Sequence, residues 1–143
     1  MRAPLLSLMV STALLGSCGN AQEGLKQELE SFVTPAHLIL IQQSEEGPSR
    51  CFAGDCPRII YYYASEQPLE TTCADVQEAV RAWDVDDAEW GSSPCSLSTT
   101  RGGDEVAVAV YEADELPPSV IDEIEPSDLG GYRSAVLIML TRD

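Results

Sequence analysis

Apolar and polar positions along this chain change period several times, and each change marks an element. Residues 3–15 (APLLSLMVSTALL) are 13 positions without a charge, too few for the roughly 20 apolar residues of a bilayer-spanning helix. A polar stretch, Gly19 to Gly24, follows. Leu25, Leu29, Phe32 and Val33 then stand at i, i+4, i+7 and i+8, which predicts a short amphipathic helix ended by Pro35. Residues 37–43 (HLILIQQ) and 58–65 (RIIYYYAS) predict strands. In the second, Ile59, Tyr61 and Tyr63 share one face while Ile60, Tyr62 and Ala64 share the other. Both faces need cover, so this strand is expected to be central.

The strongest helical pattern is 71–83 (TTCADVQEAVRAW), with Cys73, Val76, Ala79, Val80 and Trp83 on one side. Thr72 followed by Asp75 resembles a capping box. Two strand patterns, 95–100 and 105–113, flank the turn signal Arg101-Gly102-Gly103-Asp104. Residues 134–140 (SAVLIML) are apolar on both faces and predict another internal strand. A structureless 114–133 would be unusually long; Ser119, Asp122 and Pro126 predict a helical turn or two there. The order α-β-β-α-β-β-(α)-β, with short turns between strands, predicts an α+β fold. Its expected form is an antiparallel sheet of four or five strands with helices packed on one face.

Arg2 precedes the uncharged run, and Leu15-Gly16-Ser17-Cys18 closes it. Positive head, apolar core and this tetrapeptide, in that order, resemble the lipobox signal peptide of bacterial lipoproteins. The resemblance covers residues 1–18. It implies removal of 1–17 and lipidation of Cys18, by a diacylglyceryl thioether and usually an amide-linked acyl chain such as palmitate. Residues 18–24 would then be the lipidated N-terminus and tether, and 25–143 a single domain. The anchor implies the cell membrane or, since Gly19 rather than Asp follows Cys18, a pattern that resembles routing to the outer membrane. The alternative is ordinary cleavage after Ala21, within Gly19-Asn20-Ala21, which would release a soluble periplasmic or secreted protein.

Cysteine usage points to export independently. Of five cysteines, either cut takes Cys18 out of the thiol count, by lipidation or by removal, and leaves Cys51, Cys56, Cys73 and Cys95. Four cysteines in an exported domain imply two disulfides. Four cysteines allow three connectivities; the favoured one is Cys51–Cys56, since Gly54-Asp55 lets residues 51–56 reverse, with Cys73 on the packing side of a helix start paired to Cys95 at a strand start. That second bridge closes 23 residues and stabilises by about 3.4 kcal/mol on chain-entropy arithmetic.

Charge removes several function classes. The chain has 24 acids, 8 bases and a net charge of −16; losing Arg2 with the leader leaves 24 against 7, or −17. Such a surface disfavours nucleic acid and flat adsorption to anionic lipid. Catalytic signals are sparse. His37 is the single histidine, no GxSxG or HExxH accompanies it, and Gly102-Gly103 and Gly130-Gly131 are isolated pairs rather than a phosphate loop. Asp84, Asp86, Asp87 and Glu89 crowd the end of the main helix, but the sixth position from Asp84 is Glu89 where a Ca²⁺ loop needs Gly. No cofactor or metal site is therefore assigned. The candidate binding loop is the stapled segment: Phe52 inside the ring, with Arg50 and Arg58 flanking it, in a chain poor in positive charge. The expected function is a membrane-tethered, non-enzymatic module that binds an envelope protein or cell-wall component. The alternatives are an exported hydrolase using a pair of carboxylates and an acidic Ca²⁺-binding domain.

Overall fold

The computed structural model describes residues 21–92 and 95–142. The expected leader, the lipobox-like residues 15–18 and so the expected lipidation site Cys18 lie outside the described residues. Helix α1 (Ala21–Glu30) leads into β1 (Ile39–Glu46) and β2 (Arg58–Ser65). Helix α2 (Leu69–Ala82) connects these to β3 (Gly91–Ser92), β4 (Cys95–Arg101) and β5 (Asp104–Glu112). A short helix α3 (Pro118–Ile121) and a 3-10 turn (Pro126–Leu129) precede β6 (Ser134–Thr141). All pairings are antiparallel, in one six-stranded sheet of order β1-β2-β6-β5-β4-β3. The strand beyond the expected four or five is β3, two residues long and too short to carry a period.

Strand β6 is apolar on both faces because it lies mid-sheet. It pairs with β2 from Arg58↔Thr141 to Ser65↔Ser134 and with β5 from Glu105↔Thr141 to Glu112↔Ser134. Strand β2 is likewise internal, between β1 and β6. Arg101-Gly102-Gly103-Asp104 forms the tight β4–β5 turn; both glycines have positive φ (58° and 92°), as a two-residue hairpin with right-handed twist demands.

The sheet is covered on both faces. On one, Leu25, Leu29 and Phe32 of the α1 segment and Val76, Val80 and Trp83 of the α2 segment bury the odd positions of β2 together with Val136, Ile138 and Leu140. On the other, Val120, Ile124 and Leu129 cover Ile60, Tyr62, Ala64 and Ala135. The expectation of helices on one face therefore holds only for α1 and α2. The β5–β6 connection has to close over the back of the sheet, where β2 and β6 present apolar side chains.

Helix starts also differ from the expectation. α1 begins at Ala21, so part of the expected tether is helical; Ala21 N–H donates to Ser49 O (3.0 Å) and Gln22 Nε2 to Gly47 O (3.1 Å). The helix ends at Glu30, and Val33 is 78% exposed rather than on the buried stripe. α2 begins at Leu69 behind Pro68, so the Thr72/Asp75 capping box does not form. Thr72 is instead buried one turn into the helix. There Ser134 donates to Gln67 O (2.9 Å) and Thr72 to Ser134 (2.8 Å), tying the helix start to the first residue of β6.

Cys73 bonds Cys95, with Cα atoms 6.3 Å apart, linking α2 to the first residue of β4. Replacing both cysteines by alanine should lower unfolding free energy by about 3 kcal/mol, read from urea midpoints. Tyr62 supplies a pH signature. Burial first, then Glu123 and Glu46, pushes its phenol up from 10.0 to about 12. The unfolded chain loses this proton first, so the stability it confers is complete below about pH 10 and lost as pH rises toward about 12. Urea midpoints should fall across that window in the native chain and fall less in Tyr62→Phe.

Candidate functional site

The β1–β2 connection, Gly47 to Pro57, carries the stapled ring at its tip. Gly47 sits at φ 81°, and a Cβ there would lie 2.6 Å from Cys56 O, so only glycine lets the two sides of the loop close. Cys51 bonds Cys56. Within the ring, Phe52 N–H donates to Asp55 O (2.8 Å) and Asp55 N–H to Phe52 O (2.9 Å), around Ala53 (φ 51°) and Gly54 (φ 86°). Two successive left-handed residues make a primed turn, so the ring is a miniature hairpin. Its geometry leaves Phe52 78% exposed. The flanking arginines diverge in role. Arg58 Nε is 2.9 Å from Glu46 Oε2 and braces the hairpin base, whereas Arg50 is exposed and in no ion pair among the described residues.

Both ends of the described chain meet at this hairpin. The start of α1 holds Ser49 and Gly47, as above. At the other end, Arg142 N–H donates to Pro57 O (3.0 Å), the Arg142 side chain lies against Gly24, and Arg142 Nε is 3.0 Å from Asp104 Oδ1. The carbonyl of Arg142 is 3.7 Å from Cys51 Sγ.

The opposite end of the sheet has a different character. A cleft of about 540 Å³ opens between the start of α2 and the ends of β5 and β6, lined by Glu70, Glu112, Asp114, Tyr132 and Arg133 among others. Near it is an arrangement that the sequence pattern did not reveal. Gln67 N–H donates to Ser65 Oγ (3.0 Å), leaving the hydroxyl proton for His37 Nδ1 (2.7 Å), so His37 Nε2–H donates to Asp75 (2.8 Å). Serine, histidine and aspartate are thus in one chain of hydrogen bonds. Ser65, however, is completely buried, and the half-exposed member is Asp75. A hydroxyl that no substrate can reach does not attack; this chain clasps the segment before β1 to the end of β2 and the middle of α2. No spacing rule connects positions 37, 65 and 75, and only the fold brings them together.

The acidic run falls beyond the helix it was expected to crowd. α2 ends at Ala82 and Asp84 turns the chain at φ 63°. Asp86 then pins the loop to β4: its N–H donates to Thr100 O (2.9 Å), its carbonyl accepts from Thr99 Oγ1 (2.8 Å), and its carboxylate accepts from the Thr100 hydroxyl. Among the described residues, no three His, Cys, Asp or Glu side chains converge as metal ligands, and no helix is long and apolar enough to cross a membrane. The chain matches no family model, no curated protein and no solved structure.

The hairpin tip separates into scaffold and presented surface, and two substitutions distinguish them. Gly47→Ala forces a left-handed alanine against Cys56 O and should cost about 1–2 kcal/mol. Phe52→Ala removes an exposed side chain and should shift stability by no more than about 0.5 kcal/mol. Thermal or urea unfolding of the two variants checks both values.

Proposed function

We propose that this chain is an exported, lipid-anchored domain that works by non-catalytic binding at the cell envelope, with the stapled hairpin tip as its contact surface. The observation that carries the reading is the cysteine pairing. Cys51 with Cys56 and Cys73 with Cys95 take up every cysteine outside the lipobox, leaving Cys18 apart. Disulfides persist in oxidising compartments outside the cytosol, which accords with the leader-like segment before Cys18. The tip suits a contact role on physical grounds. Its aromatic side chain is exposed, its backbone is closed by a disulfide and two hydrogen bonds, and so little conformational entropy remains to be lost on binding.

Intact mass of the natively expressed protein, before and after reduction, tests the reading. The expected species begins at Cys18, carries acyl mass, and gains two hydrogens for each of two disulfides on reduction. A chain beginning after Ala21 with no acyl mass, or one retaining residues 1–17, overturns the anchor. Free thiols at Cys51, Cys56, Cys73 or Cys95 before reduction overturn the exported state.

A further inference from the structure

The inference drawn here rests on the anchor reading and names what the tip meets: we infer that the Cys51–Cys56 hairpin seats on the lipid bilayer itself, with Phe52 entering the interface and Arg50 facing the headgroups.

The first support is covalent. Because Ala21 is already in α1, at most Gly19 and Asn20 separate Cys18 from the folded domain. Three Cα steps reach no more than about 11 Å. Ala21 is hydrogen-bonded to Ser49, three residues from Phe52. The acyl-bearing residue is thus confined to the neighbourhood of the hairpin tip. It cannot reach the far end of the sheet, since an eight-residue strand such as β2 is about 26 Å long. Whatever the lipid holds the domain against, this end meets it.

The second support is charge. At the tip Arg58 is paired with Glu46, which leaves Arg50, in no ion pair among the described residues, beside Asp55 in a chain of net −16. Segment 112–128, by contrast, holds seven acids and no base, and it runs from the far end of β5 over the back of the sheet. An anionic headgroup layer repels the acidic regions and admits the tip. The third support is the side chain. Phe52 is 78% exposed on a ring that holds it outward. One phenylalanine is too weak to recruit a protein from solution, but a tether raises its effective concentration at the bilayer, so a weak contact is occupied.

The test places tryptophan at the tip. Phe52→Trp in the full chain, purified from cells with its native N-terminus, is reconstituted into phosphatidylcholine vesicles containing some phosphatidylglycerol, with ordinary or brominated acyl chains. Val33→Trp, at an equally exposed position past the far end of α1, is the control, and the native chain supplies the Trp83 and Trp90 background. The added emission at position 52 should shift to the blue and be largely lost with brominated lipid, while that at position 33 should be unaffected. Emission at 52 that stays red and unquenched overturns the proposal, as does equal quenching at both positions. Protection of position 52 in native envelopes but not in vesicles also overturns it, in favour of a protein partner. Intact mass of the same sample reports the anchor separately. Where no acyl chain is found, the anchor reading fails by itself. The free Cys18 thiol, or a cysteine restored there in a truncated chain, is then coupled to a maleimide lipid, and the same quenching decides the seat.

Discussion

The fold depends on the insertion of β6 between two strands that come from different halves of the chain. β2 and β5 are joined in sequence by α2, the edge strand β3, the strand β4 and a tight turn, and neither pairs with the other. Only β6, the last element, supplies the ladder between them, along its full length on both edges. Its Val136, Ile138 and Leu140 enter the core beneath α1 and α2, and Ala135, Leu137 and Met139 enter the cluster beneath α3. A strand with that many non-local partners pays its loop-closure entropy late, so two-sided apolarity has to be strong. A buried polar network fixes its first residue, since Ser134 bonds Gln67 and Thr72. Arg142, just past its last residue, bonds Pro57.

The two ends of the sheet consequently do different work. At the end where β6 starts, hydroxyls and the His37 imidazole clasp the crossover helix and the approach to β1. The buried hydroxyls among them, Ser65, Thr72 and Ser134, all find partners, as buried hydrogen-bonding groups must. At the end where β6 finishes, the helix start, the last described residues and the hairpin loop bond to one another across exposed surface. That second cluster joins the two ends of the described chain to the stapled ring, and a pull applied at the N-terminus is felt first at Ser49 and Gly47.

Much of this was legible in the sequence, for identifiable reasons. Residues 58–65 coincide with β2 because β-branched and aromatic residues fill both faces, and 134–140 differ from β6 by one residue for the same reason. The β4–β5 turn follows from two glycines that the required backbone favours. Illegible features were those set by tertiary contact. Residues 21–24, expected as tether, are helical and are held to the hairpin loop by Ala21 N–H on Ser49 O and Gln22 Nε2 on Gly47 O. α2 begins at Leu69 because Thr72 is used in the core rather than as a cap. β3 exists only as an edge against β4. At the candidate site, Phe52 and Arg50 are presented outward, but the pairing of Arg58 with Glu46 depends on hairpin register, which residue type does not reveal.

The stapled ring is informative because of where its stabilisation goes. A loop of Gly47 to Pro57 that buries little apolar surface would ordinarily be among the first segments to open. Closing six residues with a disulfide constrains the unfolded chain by only about 2 kcal/mol, less than the Cys73–Cys95 bridge, and it adds no contact to the main core. A close glycine approach, an ion pair at the base and two hydrogen bonds in the ring all hold the same tip. The ion pair belongs to the last rung of the β1–β2 ladder, Glu46↔Arg58, but the glycine approach and the ring's two hydrogen bonds lie beyond that ladder, which begins at Ile39↔Ala64. What the glycine and the ring's hydrogen bonds close is the backbone that carries one exposed phenylalanine. This is why the tip, rather than the rest of the loop, carries the proposal of a contact: a backbone already closed has less entropy left to lose when it meets a partner.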